Sequence, residues 1–351
     1  MIDFISIAEV PEAIRQSAVK DATCERKYYL KHMLKVSLRG GERKESADLG
    51  TIYHRFQHVG EGHDIEVMNW VRGLQAELMK KVNRGDDLDG NLIATANSLT
   101  ELYYKARAMA YIFWEKFPLP EYLVPIAKEQ PIQYFDNVLE VELSGTLDLI
   151  LMDIRDNTYW IRDHKSTSRP LNAIFASAGW GIQSRIYRLL GLEYLKQNGL
   201  SRKTSDLKGF ILDGIQFPGI KQCKKDEKEA KDQGISVEDA YLRRVRGWYG
   251  EKRDKEEDEV IRSKAIFYAE TRYPNELVTS IVRIKKLHCR KPVPWEFSRD
   301  ITGGECFSYN RLCPFYDLCN TPPGLWDSLF ERKYKFQDVI QEKETHNDDT
   351  E

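Results

Sequence analysis

A chain of 351 residues with 41% hydrophobic content is long enough to bury one large core or two modest ones. Its 53 Lys and Arg against 55 Asp and Glu leave a formal net charge of -2, which argues against a surface coated in nucleic acid but leaves room for a local basic groove. There is no run of about 18 apolar residues, and the start MIDFISIAEVPEAIRQ has no basic segment leading into an apolar one, so the expectation is a cytoplasmic protein that meets no membrane.

Residues 11–35 read as a helix, with apolar and aromatic residues at helical spacing through AIRQSAVKDATCERKYYLKHML before the polar turn RGGERKES. Residues 47–80 and 93–116 give two more amphipathic helices, separated by RGDDLDGN. From 122 to 163 the period becomes that of strands. YLVPIAKEQPIQYF, VLEVELSGTLDLILMDI and TYWIRDHK form a three-strand meander, broken at Asp136-Asn137 and Arg155-Asp156-Asn157. A helix from about Ala173 to Gln197 follows, and KGFILDGIQF is a further strand for the same sheet. Residues 221–263 are dense in charge of both signs and read as a solvated helical insertion or loop; the end, QEKETHNDDTE, reads as a disordered acidic tail.

Chemistry concentrates on two of these strands. Residues i and i+2 of a strand share a face, so Asp163 and Lys165 point one way and His164 the other. A neighbouring antiparallel strand brings Asp148, in Gly145-Thr146-Leu147-Asp148, beside them. Two carboxylates converging at a strand end repel unless a cation lies between them, and hard oxygen donors favour Mg²⁺ or Mn²⁺. A lysine on the same face then serves to steer an attacking water and to neutralise charge on a phosphate. His54 stands in the helical run GTIYHRFQH, where Gly50 allows close backbone approach, and Gln183 and Tyr187 are spaced to share one face of the helix after the D-x-K strand. Glu129, in IAKEQPI on the first strand, is a further carboxylate placed below Asp148, because strand glutamates usually face solvent.

The order His, G-x-x-D, D-x-K, Q-x-x-x-Y resembles the RecB-like branch of the PD-(D/E)XK nucleases, in particular CRISPR-associated RecB-like exonucleases, AddB-type helicase–nucleases and related phage exonucleases. The resemblance covers most of residues 20–320. It implies an α/β fold, with a restriction-endonuclease-like mixed sheet flanked by helices. It also implies a metal-dependent DNA exonuclease acting on single strands or ends in recombination, repair or phage DNA processing. His54, Asp148, Asp163 and the main-chain carbonyl of His164 would bind the metal. Lys165 would assist the nucleophilic water, and Gln183 and Tyr187 would hold the site and the strand. The alternative is a catalytically silent subunit that binds DNA ends or docks a partner.

Cysteines form the second constellation. Cys306, Cys313 and Cys319 fall within fourteen residues and Cys24 stands far upstream in TCERKYYL, enough thiols to close a tetrahedral site. In the family resembled, one N-terminal cysteine and a C-terminal C-x2-C-x5-C hold a [4Fe-4S] cluster. Cys313, followed by Pro314, and Cys319 match that spacing, whereas Cys306 lies seven residues before Cys313 rather than three. Zn²⁺ is the alternative occupant. Cys223 and Cys289 read as free thiols.

The expected organisation is a helical segment over 1–120, the nuclease core over 121–220, a charged helical insertion over 221–285, a cysteine-cluster region over 286–335 packed back on the N-terminal helix, and a tail over 336–351. Arg26, Lys27 and Tyr28 follow Cys24 as a basic-aromatic run suited to a single strand, with inward packing of the tyrosines as the other reading. No helix-turn-helix, zinc-finger or basic-zipper pattern is present, so contacts to DNA are expected mainly at phosphate and sugar. No GxxxxGK[ST] loop is present either, so unwinding would come from a helicase or recombination partner.

Overall fold

The computed structural model describes residues 13–38, 45–85, 90–178, 181–251, 260–268, 273–289, 306, 312–322, 325–326, 328–329 and 334–336. The chain divides into two compact units. One comprises residues 13–16 and 42–278, the other residues 1–12, 17–41 and 279–351. From residue 337 on, the expected acidic tail lies outside the described residues.

The larger unit is built on the expected meander: β3 (Leu123–Asp136), β4 (Val141–Asp153) and β5 (Thr158–Thr167), antiparallel in turn. Asn157, at φ +56°, takes the left-handed conformation in the tight turn before β5. β5 crosses over through α6 (Leu171–Ala178) and α7 (Ile182–Gln197) to the parallel strand β6 (Leu207–Gln216), as a parallel pair requires. β7 (Ile261–Phe267) joins β6 antiparallel, and β1 (Ile14–Arg15) joins β4 in parallel. The result is a six-stranded mixed sheet among the described residues. β5 is buried on both faces from Tyr159 to His164 apart from a half-buried Trp160. Its apolar half, Tyr159 to Ile161, gives way to the buried polar residues Arg162, Asp163 and His164 toward the strand's end.

Helices α3 (Glu45–Val59), α4 (Asp64–Asn83), α5 (Asn91–Lys116) and α9 (Val237–Glu251) supply a common apolar core, with Ile52, Phe56, Val71, Leu99, Phe113 and Tyr241 among its buried members. α3 turns Leu49, Ile52, Tyr53 and Phe56 inward at helical spacing and leaves His54 half-buried at the edge of that face. The mixed α/β architecture is the expected mixed sheet flanked by helices.

Four expectations are corrected. Residues 11–35 are not one helix: β1, α1 (Gln16–Asp21), α2 (Glu25–Tyr28), a π-helical turn over Tyr29–Met33 and β2 (Val36–Leu38) share that stretch. Cys24 is extended, at φ -112° and ψ 107°, and breaks the helical run. The helix read at 47–80 is two, parted where Gly60 and Gly62 take φ of +92° and +84°. The helix read from 173 to 197 is also two, with Gly181 extended ahead of α7. The charged segment after 221 is not a solvated appendage: α8 (Lys224–Gln233) leads to α9, which buries Ala240, Tyr241, Val245 and Tyr249, and β7 extends the sheet.

In the smaller unit β2 pairs with β8 (Tyr334–Phe336). With α2, the π-helical turn and most of α1, this unit also holds the C-terminal part of α10 (Asn275–Cys289) and α11 (Tyr316–Asn320). Arg283 donates to the carbonyls of Ala22 and Thr23 at 3.0 and 3.1 Å, and the hydroxyl of Tyr28 meets His288 at 2.9 Å, so the early segment and the late one are held side by side within this unit. No described helix is long and apolar enough to cross a membrane.

Candidate active site

β4 has two edges. β3 occupies one along the whole strand; the other is shared, with β5 paired to residues 149–153 and β1 to residues 143–144. Asp148 falls in the gap between them. The β4–β5 ladder ends at the pair Leu149 and Arg162, so Asp148 and Asp163 come just where the strands part. There the Asp148 carboxylate takes over from a backbone carbonyl and accepts the N–H of His164 at 3.0 Å.

Three elements reach this fork. From α3, His54 brings Nδ1 to 3.4 Å from Asp148 Oδ2. From β3, Glu129 lies opposite Asp148, between the paired positions Lys128–Leu149 and Gln130–Leu147, and one ligand atom each from His54, Glu129 and Asp148 lie within 4.8 Å of one another. From α7, Gln183 donates to Asp163 Oδ1 at 3.2 Å, an oxygen that also accepts from Lys165 Nζ at 2.8 Å. Tyr187, one turn beyond Gln183, places its hydroxyl among Gln183 and Asp163. The structure thus brings together His54, Asp148, Asp163, Lys165, Gln183 and Tyr187, and adds Glu129 to the inner set. Asp163 stands beside that set, turned to Lys165 and Gln183.

Electrostatics explain what the cluster needs. Burial, with Lys165 and His164 adding to it, holds the His54 imidazole down at about 4. It is therefore neutral near pH 7, a lone-pair donor rather than a cation opposite Asp148. Glu129 is raised, by burial first and then by the Asp148 charge. Asp163 is raised as well: burial outweighs the relief that Lys165 gives, and Asp148 adds to the rise. Burial pulls the Lys165 ammonium down, but Asp163 and Asp148 outweigh it and lift it above its ordinary value, so it stays charged. Three half-buried or buried carboxylates and a neutral imidazole facing one ammonium make a site short of positive charge. A divalent cation that prefers oxygen and imidazole donors fits this set.

A profile of the PD-(D/E)XK nuclease superfamily matches residues 17–320. The chain belongs to that superfamily. It is accordingly a nuclease that works with a divalent metal, and the fork holds Asp148 on β4 beside Asp163 and Lys165 on β5. No curated protein matches the chain.

Sequence reasoning placed Glu129 below Asp148; the structure sets it beside His54 and Asp148. The signal that finds it is hairpin register: counting back along both strands from the pair Asp136 and Val141 at the first turn puts Glu129 opposite Asp148.

The second predicted constellation also converges. Cys24, Cys306 and Cys319 are buried and Cys313 half-buried, all within the smaller unit. The N–H of Cys313 binds the carbonyl of Cys306 at 2.9 Å. Burial first, then the other three cysteines, push the Cys319 thiol up to about 12 against the lowering pull of Arg26. Four thiols gathered in one unit, with Cys319 and Cys313 kept from ionising chiefly by burial, are a donor set suited to a cationic metal centre. Cys223 and Cys289 are exposed, as free thiols would be.

The basic-aromatic run after Cys24 is differently placed from the expected DNA contact. Arg26 is buried and donates to the carbonyl of Cys319 at 3.1 Å, and Tyr28 is buried against His288 and His32. Lys27 pairs with the buried Asp21 at 2.9 Å, an aspartate that Lys31 and His32 also hold. With these side chains turned inward, Arg26 and Tyr28 brace the cysteine region and present no face to a strand.

Proposed function

We propose that the protein is a DNA exonuclease of the RecB-like branch, acting on single strands or DNA ends in recombination, repair or phage DNA processing, beside a helicase or recombination partner. The observation that carries this reading is the fork itself, where His54, Glu129 and Asp148 face one another next to the Asp163–Lys165 pair.

His54, Glu129, Asp148, Asp163 and the carbonyl of His164 would hold Mg²⁺ or Mn²⁺. When bound, such an ion supplies Lewis-acid stabilisation of the charge that builds on the phosphate. The side chains do the rest. Lys165, kept charged and aimed by Asp163, positions the attacking water and neutralises the phosphate. Gln183 and Tyr187 fix the orientation of Asp163. The thiols of Cys24, Cys306, Cys313 and Cys319 would hold a [4Fe-4S] cluster, with Zn²⁺ as the competing occupant. The spacing of Cys313 and Cys319 supports the cluster.

The test is digestion of end-labelled single-stranded DNA with Mn²⁺, on free-ended and end-blocked oligonucleotides. Free-ended strands should be degraded from one end and blocked ones spared. Lys165→Ala should cut about 100- to 1000-fold more slowly, the cost of losing one electrostatic contact to the transition state, with its circular dichroism unchanged. Full activity in that variant overturns the site assignment. Equal cutting of blocked strands overturns the exonuclease reading, and DNA binding without turnover under any divalent metal marks a silent end-binding subunit instead.

A further inference from the structure

Behind the fork lies a buried polar network that the proposed chemistry does not use. β5 and β6 are paired so that His164 lies directly beside Asp213, just as Lys165 lies beside Gly214. Asp213 is 1% exposed. Its carboxylate accepts from Arg162 Nε at 2.5 Å on one strand and from Ser263 Oγ at 2.6 Å on β7. His164 Nδ1 lies 3.0 Å from Asp213 Oδ2, within ion-pair reach though off the line of a good hydrogen bond. Phe113 of α5 closes the network, packing edge-on against the His164 ring at 6.0 Å.

Stability does not account for this arrangement. A buried ionic cluster is commonly matched or bettered by apolar side chains of the same volume, and the sheet around it is otherwise filled with leucine, isoleucine and phenylalanine. What the network does hold is a peptide. Arg162 and His164 flank Asp163 on the reverse face of β5, so clamping both side chains to Asp213 removes the freedom of the strand to roll about its axis. At this point β5 has lost its ladder to β4, and the His164 N–H is bonded instead to the Asp148 carboxylate. Rolling the strand would swing that N–H away from Asp148, turn the His164 carbonyl and carry Asp163 and Lys165 with it.

We propose that Asp213 is a positioning residue that fixes the His164 peptide from behind, and thereby sets the affinity of the fork for its divalent cation. The inference rests on the reading of that fork as the metal site. Support of this kind, one shell out from the ligands, typically affects metal affinity by about 10- to 100-fold.

The experiment measures Mn²⁺ binding to the full-length protein by calorimetry, alongside the Mn²⁺ dependence of single-strand cleavage and the thermal midpoint. Asp213→Asn should raise the half-saturating Mn²⁺ concentration by about 10-fold or more, and saturating Mn²⁺ should restore most of the turnover rate. A loss of thermal stability with unchanged Mn²⁺ affinity marks a purely structural residue and overturns the proposal. Should Asp213→Asn fail to fold, Ser263→Ala removes one support of the same carboxylate. It should shift Mn²⁺ affinity the same way by a smaller factor, and no shift there also overturns it. The two readings fail differently. A wild-type protein that binds Mn²⁺ but leaves DNA intact sinks the exonuclease proposal alone, while Mn²⁺ binding that ignores Asp213 sinks the positioning role alone.

Discussion

Glu129 sits on a strand with φ at +45°, a conformation that costs a non-glycine residue about 1–3 kcal/mol, and it faces a second carboxylate. Strain and repulsion at one residue fit a site completed by a cation. The pH dependence follows from the shifts. His54, depressed to about 4, is favoured neutral in the fold, so as pH falls below its unfolded value near 6.5 the fold progressively loses stability to its protonation. Glu129 and Asp163, both raised, favour the protonated fold, and without a cation they lose that advantage as pH rises through their folded values. A cation needs all three deprotonated. Mn²⁺ should therefore raise the thermal midpoint more at pH 8 than at pH 5. At a hundredfold excess over its dissociation constant the gain is about 2.7 kcal/mol, roughly 5–10 °C for a unit of this size. Differential scanning fluorimetry checks it, and Glu129→Gln should show a clearly smaller Mn²⁺ increment at pH 8. An equal increment in that variant removes Glu129 from the inner set.

At the scale of elements, β6 depends on close approach to β7. A Cβ added at Gly209 would strike the Ile266 carbonyl oxygen and the Phe267 backbone, atoms that cannot step aside without opening the ladder. Gly209→Ala should cost about 2–4 kcal/mol, in the range of substitutions that force a backbone apart. Gly219→Ala, which meets nothing within 4 Å, should stay within about 0.5 kcal/mol. Urea unfolding of the two variants measures the difference, and equal midpoints would contradict the packing. β7 was hidden in the sequence because IRSKAIF follows a dense run of charges and carries two of its own. Seen on its edge position it is an ordinary outer strand, buried at Ile261 and exposed at Phe267. In α9 the apolar patch around Tyr241 to Trp248 stands out from the charges in sequence, and the structure shows its face of Ala240, Tyr241, Val245 and Tyr249 turned into the protein.

For the molecule as a whole, residue 24 and residues 306–319 meet in one unit although nearly the whole nuclease core intervenes between them in sequence. Closing so long a loop carries a large entropy cost, which the metal centre proposed at the cysteines would offset in the folded state alone. On the proposed [4Fe-4S] reading, the purified protein should be brown and contain iron, and Cys319→Ser should abolish both and lower the thermal midpoint while leaving Mn²⁺ binding at the fork intact. Stoichiometric zinc with no iron in the wild type would reassign the centre.

The sequence by itself determined the meander, the helical character of the segment after it though not its break, the order of the candidate site residues along the chain and the spacing of the late cysteines. These are local properties: side-chain period, turn chemistry and motif spacing act over a few residues. Tertiary structure alone decided that β5 leaves β4 between Leu149 and Asp148, that Asp213 stands behind His164, and that Arg26 and Tyr28 point inward. Each of those depends on which strands share an edge and which face a neighbour covers, and pairings between distant segments leave no periodic trace in either one.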